Sequence, residues 1–180
     1  MPFHGRGGKG AGNSRERYTP LHDLILFALN TGARLGEAIY LEWTDVDLEG
    51  GLIKILNKPE HLVKDREDRI VRANPILLTM LCRRHAARNA EVRRVFPSMK
   101  GAVLDRRNLL REFKIAAKRA GLESANYLVL RHTALTALAR SGAPLFVLKE
   151  VAGHSSVRTT ERYYIGSMGG EGWAVPILGS

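Results

Sequence analysis

A chain of 180 residues with 44% hydrophobic side chains is long enough to bury a core and short enough to be one domain. Its formal net charge of +10 and pI near 10.2 favour a polyanionic partner, with nucleic acid the first candidate. No apolar run reaches membrane-span length, no signal peptide is read, and the lone Cys82 excludes an internal disulfide framework, which together point to a reducing cytoplasm.

The opening "MPFHGRGGKGAGNSRER" is Gly-rich and basic with little to bury, so residues 1–18 are expected to be a disordered leader. "TPLHDLILFALNTG" reads as a helix with Thr19 as N-cap, Pro20 in its first position and Gly32 near its end. "ARLGEAIYLEW" gives a second, short helix. "TDVDLEGGLIKILNK" switches to β character around an Asp-Leu-Glu-Gly-Gly turn, and "DREDRIVRANP" supplies the returning strand. From Pro75 onward the long segments are helical, at 75–89, 105–120, 127–140, 144–152 and 156–164, with Gly121, Gly142 and Pro144 at the boundaries. The expected fold is mainly α with one small antiparallel β-sheet (α+β), a single domain over residues 19–164. The stretch 165–180 reads as an irregular tail, although Trp173, Val175, Ile177 and Leu178 could dock on a surface.

Charge is unevenly spread. Residues 83–119 hold twelve Lys or Arg against three acids, a local net of +9. On the helix 105–120, Arg107, Arg111, Lys114 and Lys118 form one stripe, and Leu109, Phe113, Ala117 and Ala120 form another. A basic face opposite a core face suits a phosphate backbone, so these four are candidate DNA-binding residues; a merely solvated surface is the alternative. On the helix 127–140, Leu130, Ala134, Ala137 and Leu138 mark a core face. Yet Arg131 and His132 lie side by side in its first turn, where burying a guanidinium is costly without a partner.

Three segments carry chemistry. "TGARLGEAIYLEWTDVD" sets Arg34 just past a glycine at a helix start, where unpaired N–H groups and the dipole favour anions. "LRHTALTAL" contains Arg131. "VAGHSSVRTTERYY" contains His154 and, nine residues on, Tyr163. In order and spacing these resemble the three boxes of the tyrosine recombinase (phage integrase) family: T-G-x-R-x-x-E followed by L-x-W-x-D-V-D, then H-x-L-R-H-T, then L-G-H-S-S with a Tyr nine residues after the His. The match spans about residues 19 to 164.

The resemblance implies the catalytic-domain fold of that family and site-specific cleavage and rejoining of double-stranded DNA through a 3′-phosphotyrosine. Residue by residue, it implies Arg34 and Arg131 as a clamp on the scissile phosphate, His154 bonding a phosphate oxygen, and Tyr163 as nucleophile. Two fork-shaped guanidiniums stabilise the charge gathering on non-bridging oxygens with neither metal nor cofactor. A tyrosine nucleophile stores the bond energy, so resealing needs no ATP. DNA phosphate would then be the partner that makes Arg131 tolerable near a core; the competing reading pairs it with a carboxylate such as Glu37. His132 is implied to be a packing residue.

The family also uses a hairpin lysine as general acid for the leaving 5′-oxygen. Counting forward from Arg34 favours Lys58, and counting back from the returning strand favours Lys64. Lys64 is preferred, because that strand anchors the register and Pro59 would perturb the backbone beside Lys58. Two departures stand out. The second-box histidine position is Leu128, which cannot move a proton, although Tyr127 could compensate. The N-terminal DNA-clamping domain of these enzymes is not recognisable, so the chain reads as an isolated catalytic domain whose full-length form would work as a homo-tetramer on DNA. A catalytically weak DNA-binding module and a type IB topoisomerase-like enzyme are the alternatives, and the "GHSS" of the third box favours the recombinase.

Overall fold

In the computed structural model, residues 20–59 and 68–168 are described. The expected cap Thr19, the leader, the tail beyond 168 and Lys64 all lie outside them. Among the described residues the chain is mainly helical with one small antiparallel sheet, as expected.

Helix α1 (Leu21–Thr31) buries Leu24, Phe27 and Ala28 along one face and closes on Gly32, whose φ of 64° is left-handed. Pro20 occupies the N-cap rather than the first helical position, its carbonyl accepting the Leu24 N–H at 2.8 Å. Helix α2 (Leu35–Ile39) is buried throughout. A 3-10 turn over Trp43–Asp45 leads into β1 (Val46–Asp47), which pairs with β2 (Leu52–Ile55), and β2 pairs with β3 (Arg69–Arg72). Ile53 sits at the centre of the register, opposite Val46 on one side and Val71 on the other. The turn between β1 and β2 forms because Asp47 Oδ1 accepts the N–H groups of Glu49 and Gly50, and Gly51 supplies a φ of 63°.

Helix α3 (Pro75–Ala86) starts on an Asn74 cap with proline in its first turn. It stops a turn short of the expected residue 89, because the following chain returns to the first half of the fold. There Trp43 N–H donates to Arg93 O and Val95 N–H to Leu41 O. Helix α4 (Arg106–Arg119) is capped by Asp105 and buries Leu109, Phe113 and Ala117, while Ala120, expected on that face, is exposed at the C-cap. Helices α5 (Leu128–Arg140), α6 (Leu145–Ala152) and α7 (Val157–Met168) follow, α7 running one turn past the expected end. None of the described helices is long and apolar enough to cross a membrane.

Among the described residues two apolar clusters form. One gathers α1, α2, the sheet, α3, α4 and Leu130 around Phe27, Phe96, Leu77 and Leu81; Phe27 and Phe96 meet edge to face at 5.4 Å. The other joins α5, α6 and α7 through Leu135, Ala139, Leu148, Ala152 and Tyr163. Helix α5 therefore packs on several sides, and its buried positions are Leu130, Arg131, Leu135 and Ala139, not the stripe 130, 134, 137 and 138 read from periodicity. Part of the 83–119 basic run is structural rather than surface charge: Arg83 and Arg84 both hold Asp23 at 2.7 Å, and Arg94 bonds Tyr40 O at 2.7 Å.

Candidate active site

Gly32 ends α1 in a left-handed turn, which lets the chain double back so that Arg34 becomes the N-cap of α2. The Arg34 N–H donates to Glu37 Oε2 at 2.9 Å, and its guanidinium lies 3.5 Å from Glu37 Oε1 with the side chain a quarter exposed. Glu37 also receives both terminal nitrogens of Arg69 from β3, at 3.2 and 2.8 Å. Burial alone would raise the Glu37 pKa. The Arg69 hydrogen bonds and charge, the Arg34 N–H and the Arg131 charge outweigh it and hold the carboxyl down to about 2.

Arg69 reverses the alternation expected of a surface strand. It points inward, whereas Ile70 is 56% exposed. Its Nη1 lies only 2.9 Å from where a Cβ on Gly153 would sit, and Gly153 has φ of 59°. Glycine is therefore required there twice, by the left-handed turn that ends α6 and by the guanidinium pressed against it.

Beyond that turn stands His154, buried, facing Arg131 from α5. Arg131 is only 2% exposed. Its Nη1 donates to Gly32 O at 2.7 Å, and its Nη2 donates to Ala152 O at 2.5 Å and to His154 Nε2 at 3.1 Å. The guanidinium thus ties together the end of α1, the end of α6 and the third box. These bonds correct the expectation that Arg131 needs DNA to be tolerated near a core: main-chain carbonyls already solvate it. Glu37 acts on Arg131 through its charge, while its carboxylate accepts hydrogen bonds from Arg69 and the Arg34 N–H. Burial foremost, then the Arg34 charge, lowers the Arg131 pKa, with Glu37 and Tyr163 opposing; a guanidinium nevertheless stays protonated at neutral pH.

The Tyr163 ring, 5% exposed on α7, stacks at 6.2 Å and 21° from the His154 ring. The half-buried His132 ring lies 5.5 Å from that of Tyr163, tilted by 32°. The other imidazole nitrogen of His154, Nδ1, is 3.0 Å from Thr160 Oγ1. Arg131, His154 and Tyr163 are thereby brought into one nest, and Arg34 adds its charge from α2.

Other expected residues are placed differently. Arg107, Arg111, Lys114 and Lys118 are exposed together on α4. Lys64 lies outside the described residues. The alternative, Lys58, is committed to carboxylates, with Nζ 2.6 Å from Asp45 Oδ2 and 3.3 Å from Glu42 Oε2. Leu128 is half exposed at the start of α5. Tyr127 cannot stand in for it, because its hydroxyl donates to Leu24 O at 3.0 Å inside the core and burial pushes its pKa upward. Arg69 and Thr160 were not among the residues singled out from sequence. The clue to Arg69 was that it shares a strand face with Val71. The clue to Thr160 was its place one helical turn before Tyr163.

The sequence matches the phage integrase family over residues 12–168. It is 29% identical over 176 residues to a tyrosine recombinase XerC-like protein of Caldanaerobacter subterraneus subsp. tengcongensis, covering 80% of this chain and 45% of that one. It is 32% identical over 142 residues to tyrosine recombinase XerD of Shewanella oneidensis, covering 77% and 46%. The chain thus spans about half the length of these curated relatives. Among solved structures, the XerA recombinase superposes with a TM-score of 0.64 at 24% identity, covering 91% of this chain and 62% of that one. XerH bound to palindromic difH substrate gives 0.66 at 24%, covering 89% and 45%. The catalytic domain of bacteriophage HP1 integrase gives 0.61 at 26%, covering 87% and 79%. Fold, motif order and family match agree: the chain belongs to the phage integrase family, the tyrosine recombinases.

Proposed function

We propose that this chain cleaves and rejoins double-stranded DNA at specific sites, acting as the catalytic domain of a recombinase or integrase. The observation that carries the reading is the nest itself: Tyr163 stacked on His154, and His154 bonded to Arg131, at the meeting point of α5, α6 and α7. Three of the five N–H donors of Arg131 are spent in the bonds above, leaving Nε–H and one Nη1–H to donate to a phosphate oxygen alongside Arg34. The Tyr163 oxygen attacks phosphorus as its phenolic proton passes to solvent, the P–O5′ bond breaks, and the 5′-oxygen takes a proton, for which Lys64 is the proposed donor since Lys58 is held by Asp45 and Glu42. A 5′-hydroxyl from a second duplex then attacks the 3′-phosphotyrosine and gives its proton to the lysine, and the Tyr163 oxygen leaves and takes a proton from solvent. Exchange between two duplexes needs four cleavages, so a tetramer on DNA is the matching assembly. The exposed row on α4 is the proposed backbone contact.

The test is a nicked suicide substrate that traps the covalent intermediate. Wild type should form an adduct mapping to Tyr163, and Tyr163→Phe should form none. Lys64→Ala should fail on normal DNA yet recover on a 5′-thio leaving group, which needs no proton; recovery confined to Lys58→Ala would reassign the acid. Leu128→His should speed cleavage by restoring a polar group beside the phosphate. An adduct at Tyr164, or none from wild type and Leu128→His alike, overturns the reading and leaves DNA binding without cleavage.

A further inference from the structure

Arg69 takes no part in the proposed cleavage, yet its side chain is only 3% exposed and sits between the first and third boxes. Its terminal nitrogens fork onto the two oxygens of Glu37, Nη1 to Oε1 at 3.2 Å and Nη2 to Oε2 at 2.8 Å. Such a fork fixes the plane of a carboxylate, which a single ammonium cannot do. Oε2 is also the atom that accepts the Arg34 N–H at 2.9 Å, and Oε1 lies 3.5 Å from the Arg34 guanidinium. Turning the carboxylate would therefore move both the start of α2 and the charge that Arg34 carries. The same guanidinium lies against Gly153, where a Cβ would stand 2.9 Å from Nη1 and 3.4 Å from Cζ. With no side chain between them, β3 meets α6 at the turn that leads to His154. Among the described residues the Arg69 Nε has no hydrogen-bond partner, so the fork on Glu37 is what offsets the burial of this charge.

We propose that Arg69 is a positioning residue for the phosphate clamp: by forking onto Glu37 and seating Gly153 against its guanidinium, it holds Arg34 of the first box and His154 of the third in register. The proposal rests on the strand-cleavage reading of the site for its consequence, but not for its geometry. Glu37 is faced by Arg34 on its own helix, by Arg69 from β3 and by Arg131 from α5, and it lines a small cavity with Tyr40, Asp45, Lys54 and Lys58. Burial raises its pKa. Arg69, by hydrogen bond and then by charge, is the largest opposing influence and helps to leave it at about 2.

Two variants of the full chain separate charge from geometry. Arg69→Lys keeps the cation and loses the fork, and Arg69→Met loses both. At saturating DNA, Arg69→Lys should slow single-turnover cleavage of the nicked substrate by about tenfold to a hundredfold, the worth of one charge-assisted hydrogen bond, and Arg69→Met by at least as much. DNA affinity should stay within about twofold of wild type, because a positioning residue acts on the reacting state and not on binding. Carbon-13 NMR of the labelled chain without DNA reads the Glu37 carboxyl, whose pKa should climb from about 2 into or above the ordinary carboxylate range in Arg69→Met. The amide signals of Arg34, Gly153 and His154 should shift together in both variants, while those of α4 stay in place. A wild-type cleavage rate in Arg69→Lys overturns the proposal, as does a loss confined to DNA affinity. So does a Glu37 pKa unmoved in Arg69→Met, or amide shifts that leave Gly153 and His154 in place. Should one variant not fold, the rate, affinity and amide signals of the other still decide. If wild type forms no adduct at all, the cleavage reading falls, while the carboxyl and amide signals still judge the hold of Arg69 on both boxes.

Discussion

Glu37 shows how one buried charge organises several residues. Its carboxylate accepts from Arg69 across 32 residues of chain and from the main-chain N–H of Arg34 three residues before it. Its folded pKa of about 2 lies below the ordinary 4.5. For a carboxylate lowered on folding, the linked stability is complete above the unfolded value and is lost as pH falls towards the folded one. Glu37 therefore contributes stability, on the order of 3 kcal/mol, that is present above pH ~4.5 and disappears as pH drops towards ~2. Denaturant unfolding of wild type and Glu37→Gln across this range should show the variant weaker near neutrality and the gap closing in acid. A gap independent of pH would mean that Glu37 acts through shape alone. Arg131 teaches the complementary lesson. Its place in a motif was plain from sequence, but its carbonyl partners were not, and they make it part of the scaffold as well as of the site.

At the scale of elements, α4 was the most legible. Its apolar and basic stripes are pure helical periodicity, and the structure buries Leu109, Phe113 and Ala117 while exposing Arg107, Arg111, Lys114 and Lys118. If that row lies along DNA, replacing all four with Gln should weaken binding similarly on any sequence. The slope of log affinity against log salt should flatten by about 3 to 4, as fewer counterions are released. Titrations at several salt concentrations check this, and an unchanged slope would place the DNA elsewhere. Helix α5 was less legible because neighbours on several sides leave it no single apolar face. Strand β3 misleads for another reason: with an acid waiting inside, the guanidinium of Arg69 is buried and Ile70 faces out.

Across the whole molecule, the two apolar clusters divide the labour, and α5 belongs to both. The first carries Arg34 and Glu37; the second seats Tyr163 among Leu135, Ala139, Leu148 and Ala152. Leu148→Ala removes a fully buried side chain and should cost about 2–5 kcal/mol. Its effect should be regional. Hydrogen exchange should quicken across α6 and α7 more than in α1, and cleavage should fall further than DNA affinity. Equal loosening of α1 would show one cooperative core instead.

What the amino-acid sequence determined by itself was local in origin. Helical and strand periods, the Asp47 turn and the proline and glycine boundaries each depend on a few neighbouring residues. So do the motif groupings Gly32–Arg34–Glu37 and His154–Tyr163, which is why fold class and family could be read directly. Tertiary structure alone decided the partnerships. Arg131 finds Gly32 O 99 residues away, Arg69 finds Glu37 at 32, and Lys58 is taken by Asp45 at 13. Even Thr160 and His154, six residues apart, meet across the turn that Gly153 makes at the end of α6. Hydrogen bonds act over about 3 Å, and which groups come that close is fixed by how helices and sheet pack, which no periodicity along the chain encodes.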